Sequence, residues 1–165
     1  MRYFILIAFH FAIPATTYSQ LIKIDTLISL LGKKISYIDS VFSKDYRAVL
    51  DDIDEKHNIY IWRTGFNADH SKHNQAIVYH TSDSTQEFFL SFPSHKTDHL
   101  LKLYDSEYEN ELNSGVYKRV DDTIEEFMDD KALVKNYQYE SYLIKKYKIA
   151  SINTTAIRVT KHLIF

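Results

Sequence analysis

The apolar positions in the first part of the chain recur at helical spacing. In the segment 21–31 they fall three or four residues apart, and Gly32 follows as a residue suited to end a helix. The residues of this stripe are Leu21, Ile24, Leu27, Ile28 and Leu31. A second, short helix is predicted after Ser36, with Ile38, Val41 and Phe42 on one side.

The period then changes from helical to strand-like. Three short runs, 58–63, 75–81 and 86–92, are rich in β-branched and aromatic residues and are separated by polar turns. They predict a three-stranded antiparallel meander.

The second half of the chain predicts two helices and then two strands. Residues 95–112 carry one apolar stripe, and Asn113, Ser114 and Gly115 end it. Asp122 and Glu125 have the spacing of a capping box, which predicts a helix with Ile124, Phe127 and Met128 on its inner side. Residues 137–149 and 157–165 alternate, with a turn near 151–154 between them. The predicted fold class is therefore α+β, an antiparallel sheet of about five strands with helices packed mainly on one face.

The N-terminal residues have the order of a secretory signal. Arg2 precedes a short apolar run, Pro14 ends that run, and small residues follow up to Gln20. The run is only about ten residues, whereas a membrane-spanning helix needs about 20. We therefore expect residues 1–19 to be a signal peptide and residues 20–165 to be one domain, periplasmic or secreted, with no membrane span after cleavage.

The composition of the chain excludes several classes of site and partner. The chain has no cysteine, which removes disulfides, thiolate catalysis and thiolate metal sites. Without Arg2 the basic residues fall from 20 to 19 against 22 acids, so the mature net charge is 19 − 22 = −3. A protein with that balance lacks the basic surface that nucleic acid requires, so no nucleic-acid partner is expected. No internal repeat and no local catalytic motif is present, which leaves enzymatic activity uncertain and favours its absence.

Two aromatic residues form the predicted binding site. Tyr60 and Trp62 lie on one side of the first predicted strand, and Ile59 and Ile61 lie on the other. If the isoleucine side packs under the helices, the aromatic side is exposed and suits a glycan or an apolar patch of a partner protein.

The histidines suggest an alternative function. Six of the eight lie between His57 and His99. His70 and His73 share a loop, and His80 on the next strand is the candidate third imidazole for a zinc ion, with Asp69 nearby, whereas a solvated polar loop is the other interpretation. His95 and His99, one helical turn apart, form a second pair, although a solvated first turn of the helix is the favoured interpretation of these two residues. A metal-binding protein or metal-dependent hydrolase is the alternative that this pattern leaves open, since zinc acidifies bound water.

Charge is distributed in blocks near the C-terminus. The most acidic stretch runs from Asp121 to Asp130, and the most basic contains Lys145, Lys146 and Lys148. A solvated face is one interpretation of the acids, and a surface that docks a basic partner is the other. The leading functional hypothesis is an exported, non-enzymatic binding protein of the inhibitor or immunity type, without a cofactor and with a protein or glycan partner.

Overall fold

Most of the described chain is β-structure. A computed structural model describes residues 21–64, 75–82, 85–92, 98–127, 130–149 and 154–162. In chain order the elements are α1 (Ile24–Leu30), α2 (Ile35–Tyr46), β1 (Val49–Asp54), β2 (Ile59–Thr64), β3 (Gln75–Thr81), β4 (Thr85–Ser91), α3 (Asp98–Leu112), β5 (Lys118–Phe127), β6 (Asp130–Tyr139), β7 (Tyr142–Ile149) and β8 (Thr154–His162).

All eight strands belong to one antiparallel sheet with the order β1-β2-β3-β4-β8-β7-β6-β5. The strands β1 and β5 are therefore its two edges, and β4 meets β8 at the centre, where Phe88 lies opposite Val159. The helix α2 precedes the meander β1–β4, and α3 precedes the meander β5–β8. Each half of the sheet is thus a helix followed by four strands, although the sequence shows no repeat.

This architecture corrects the predicted fold class. The prediction of about five strands with helices on one face is wrong, because the described chain is mostly β, with eight strands and three short helices. The strand β1 was missed because it carries three acids and its side chains are mostly exposed. The alternation over 137–149 covers two strands, β6 and β7, which a turn at Glu140 with φ of 51° separates.

The predicted helix beginning near Asp122 is also wrong. The segment from Lys118 to Phe127 pairs with β6 along its whole length. Because Thr123, Ile124 and Phe127 suit a strand, the backbone bonds to β6 prevail over the capping-box spacing. That spacing remains a local coincidence.

The predicted helix ends in other parts of the chain are confirmed. The helix α1 ends at Leu30 and α3 at Leu112, and Gly32 and Gly115 follow them with φ of 81° and 90°. Positive φ is the conformation in which glycine is favoured after a helix. The proposed start of α3 near His95 lies outside the described residues, as do residues 1–19. No helix within the described ranges is both long and apolar enough to cross a membrane.

The sheet has two faces, which we name by one residue each. On the Trp62 face, Trp62, Ile77, Leu90 and Ile157 lie side by side across four strands. These residues form the main core together with buried side chains of the three helices. The Phe89 face carries a smaller core, which Phe89 and Phe127 border, made of Ala132, Val134, Tyr147, Ile149 and Ala156.

The sheet is rolled toward its Phe89 face. Phe89 lies on β4 and Phe127 on β5, four strand positions away, yet their rings stack with 5.3 Å between centroids. A flat sheet would separate these strands by about 19 Å, since neighbouring strands lie about 4.8 Å apart. Tyr147 of β7 contacts both rings, at 5.1 Å from Phe127 and 6.4 Å from Phe89. The roll therefore makes the Phe89 face the interior at the β5 edge.

Candidate functional site

The predicted aromatic binding surface is not exposed at Trp62. Tyr60 and Trp62 do share one side of β2 and stack at 6.3 Å, but that side is the Trp62 face, which the helices cover. Trp62 is 0% exposed, and its Nε1 donates a hydrogen bond to Asp39 Oδ1 of α2 at 2.9 Å. The ring also packs edge-on against Phe42 at 5.2 Å. The expectation of an exposed tryptophan is therefore wrong, and only Tyr60 remains partly accessible.

Most of the histidines predicted to bind a metal lie outside the described residues. His70, His73 and His95 lie outside the described residues, and only the backbone of His99 is described. His80 lies on β3 with its Nδ1 3.6 Å from Glu87 Oε1. Among the described residues no three histidine, aspartate or glutamate side chains are close enough to share an ion. Both histidine sets stay predictions.

Strand alternation divides the basic block near the C-terminus between the two faces of β7. Lys146 is buried on the Trp62 face, where its Nζ lies 2.7 Å from Asp105 Oδ1 and 2.6 Å from Glu109 Oε2 of α3. Lys145 lies on the Phe89 face, where its Nζ contacts Glu125 Oε1 at 2.7 Å. Lys145 and Lys146 thus form ion pairs within the domain and do not form a basic surface.

Ion pairs hold α3 against the second half of the sheet. Burial alone would raise the pKa of Glu109, but hydrogen bonds from Lys135 and Lys146 outweigh it and lower the pKa to about 2. Lys135 Nζ lies 2.7 Å from Glu109 Oε1. Asp105 and Glu109 therefore attach α3 to β6 and β7.

The acids of β5 are placed differently, because β5 is an edge strand. From Asp122 to Phe127 the even-numbered residues are exposed and the odd-numbered ones are half-buried against the Phe89 face. Asp122, Ile124 and Glu126 therefore point outward together. Ile124 is 74% exposed, the largest exposure among the large apolar side chains described.

The neighbouring strand β6 extends this surface. Ile124 lies opposite Leu133, which is 46% exposed, and Asp122 and Glu126 lie opposite Lys135 and Lys131. We call the group Asp122, Ile124, Glu126 and Leu133 the β5 edge surface. Strand residues directly opposite each other have side chains close enough to interact, so the surface has an apolar centre with an acid on each side along β5 and a lysine on each side along β6.

The charges on β5 are only partly balanced. Asp122 pairs with Arg119, and Glu125 pairs with Lys145. Asp121 and Glu126 have no ion pair among the described residues. On the other edge strand, β1, Asp51 pairs with Arg63 and Asp54 pairs with His57. Asp52 of β1 also has no ion pair among the described residues, so both edge strands carry unbalanced negative charge.

The β5 edge surface lies within the acidic stretch of the sequence analysis, but as a strand rather than a helix face. The local pattern did not indicate this surface, because the apolar Ile124 lies on the exposed side while Thr123 and Glu125 face inward. The site is defined by geometry and charge alone. Comparison of the chain with protein-family models, with curated proteins and with solved structures found no match.

Proposed function

We propose that the protein is an exported, non-enzymatic binding protein that recognises a protein partner through the β5 edge surface. The observation that carries this proposal is the 74% exposure of Ile124 on an edge strand, between two outward-facing acids. An isolated exposed isoleucine needs no explanation, but Leu133 lies directly beside it in the register.

The charges of the β5 edge surface favour binding to a specific partner over non-specific association. Along β5 the acids on both sides of Ile124 favour a basic partner segment and disfavour an acidic one, which is how charged rims select partners. An inhibitor or an immunity-type protein works in this way, by covering a basic surface of another protein. Export follows from the order of residues 1–19 and is part of the same proposal.

Capture of a partner from the native cell envelope tests the proposal, with two variants matched in chemistry. Ile124→Asp places a charge in the β5 edge surface. Tyr37→Asp does the same on α2, where Tyr37 is 55% exposed. We expect one partner protein to be recovered with the wild type and with Tyr37→Asp, and lost with Ile124→Asp. Recovery that is equal for the two variants, or the absence of any specific partner, contradicts the proposal.

A further inference from the structure

We infer that the partner segment is an extended strand with the pattern basic-x-apolar-x-basic, which adds to the outer edge of β5 by backbone hydrogen bonds. The inference rests on the proposed function and specifies the partner of the same surface. It depends on three observations: the open backbone of β5, the side-chain pattern on its exposed side, and the chemistry of the strand that β5 already pairs with.

The first observation is that β5 has one paired and one unpaired backbone edge. Its inner edge is bonded to β6, and no described strand lies on its outer edge. A β-bulge between Arg119 and Asp121 disturbs the start of the strand, so the regular part is residues 121–127. Seven regular residues are enough for a peptide strand to add to a sheet.

The other edge strand is less suited to this. In β1 a bulge between Leu50 and Asp52 leaves only three regular residues, Asp52 to Asp54. Asp51 at that bulge pairs with Arg63, and Asp54 pairs with His57. Short, bulged edges are a known protection against strand addition. The two edges of the sheet therefore differ, and β5 is the more open one.

The second and third observations together specify the partner. On the exposed side, β5 presents Asp122, Ile124 and Glu126, and β6 places Lys135, Leu133 and Lys131 opposite them. In its register, β6 is thus an internal example of a strand beside this side of β5, although Asp122 forms its ion pair with Arg119 and Lys135 forms its own with Glu109. A strand on the outer edge faces the same three side chains, so opposite charges favour lysine or arginine on both sides of an apolar residue. Because this pattern reads the same in both directions, it fits a parallel or an antiparallel strand.

The acids of β5 disfavour a second copy of this chain as the occupant. Antiparallel pairing of two β5 strands centred on Ile124 places Asp122 of one copy opposite Glu126 of the other. Like charges directly opposite each other destabilise a strand pair. The acids therefore prevent self-association while leaving the edge open to a basic strand.

The experiment measures binding of labelled peptides to the purified protein by fluorescence anisotropy. The first probe contains Lys-Ala-Leu-Val-Lys, the sequence of residues 131–135, between short threonine flanks. The second replaces both lysines with glutamate. We expect the lysine peptide to bind at least about tenfold more tightly, a difference of about 1.4 kcal/mol.

A charge exchange shows whether the peptide binds at β5. The double variant Asp122→Lys/Glu126→Lys should reverse the preference and bind the glutamate peptide. The matched control, Asp45→Lys/Glu55→Lys, makes the same change in net charge at exposed acids outside β5 and should keep the wild-type preference. Equal behaviour of the two double variants overturns the inference, because binding would then follow net charge alone.

N-methylated peptides show whether the contact is a strand. Two further lysine peptides carry N-methyl groups on alternate residues, one set on each edge of the extended chain. One of the two should lose binding and the other should keep it, because only one edge of the peptide bonds to β5. If both bind equally, strand addition is wrong. Loss of envelope capture by Ile124→Asp would still support the β5 edge surface, so the inference and the proposed function can fail separately.

Discussion

The ring of Phe127, on the edge strand β5, stacks on the ring of Phe89, on the central strand β4, with 5.3 Å between their centroids and 23° between their planes. This contact closes the rolled half of the sheet. It places Thr123, Glu125 and Phe127 toward the inside, and the alternating side chains of Ile124 and its neighbouring acids therefore point outward. The exposed surface on which the proposed function rests is a consequence of that roll.

The roll can be tested by a double-mutant cycle in urea unfolding. Phe89→Ala and Phe127→Ala should each lower the free energy of unfolding by about 2–4 kcal/mol, since each removes a ring packed in the smaller core. Because the rings stack on each other, the double variant should lose less than the sum, by about 0.5–1.5 kcal/mol. Strict additivity of the two losses would contradict the contact.

Two buried tyrosines give a matched test of hydrogen bonding in the main core. Tyr108 Oη donates to the backbone oxygen of Ile22 at 2.7 Å, whereas the equally buried Tyr137 Oη has no partner among the described residues. Tyr108→Phe should therefore lower stability by about 1–2 kcal/mol. Tyr137→Phe should leave stability unchanged or raise it, because it removes an unsatisfied polar atom. Equal losses in thermal unfolding would show that both hydroxyl groups are bonded.

The depressed pKa of Glu109 predicts how acid acts on the attachment of α3. A carboxyl whose pKa is lower in the folded state contributes stability above its unfolded value, 4.5, and loses that contribution as pH falls through about 2. Glu109→Gln should therefore lower stability at pH 7, by about 1–2 kcal/mol given its partial exposure. The difference from wild type should shrink between pH 4.5 and pH 2. A difference in melting temperature that stays constant down to pH 2 would contradict the assignment.

The proposed export predicts the N-terminus of the mature protein. Mass spectrometry of protein recovered from the periplasm or medium should find a chain that begins at or near Gln20, because small residues precede that position. Recovery of a chain that retains Met1 would remove export from the proposal, and with it the choice of the envelope as the place to look for the partner.

The sequence predicted elements well where the apolar pattern and the local stop signals agreed. The helix α1 with Gly32 after it, and the strands β2, β3 and β4, are in this class. In these segments one side of each element packs in the main core, so the apolar period is the period of the element.

The sequence did not predict which face of a strand is buried. In β5 the apolar Ile124 points to solvent while Thr123 and Glu125 face inward, so the usual alternation is inverted. Trp62 shows the reverse error, since a residue predicted to be exposed is the centre of the contact with α2. Which face of a strand is buried depends on distant partners such as the Phe89–Phe127 pair, and a local pattern does not contain that information.

Hydrogen exchange tests the central claim most directly, because it observes the β5 backbone itself. In the free protein, the amides of residues 121–127 that are not bonded to β6 should exchange rapidly. With the lysine peptide at ten times its Kd, mass action should slow their exchange about tenfold, while the amides of β1 keep their rates. Protection confined to β5 supports the account. Unchanged exchange in β5, or equal protection of β1, would contradict it.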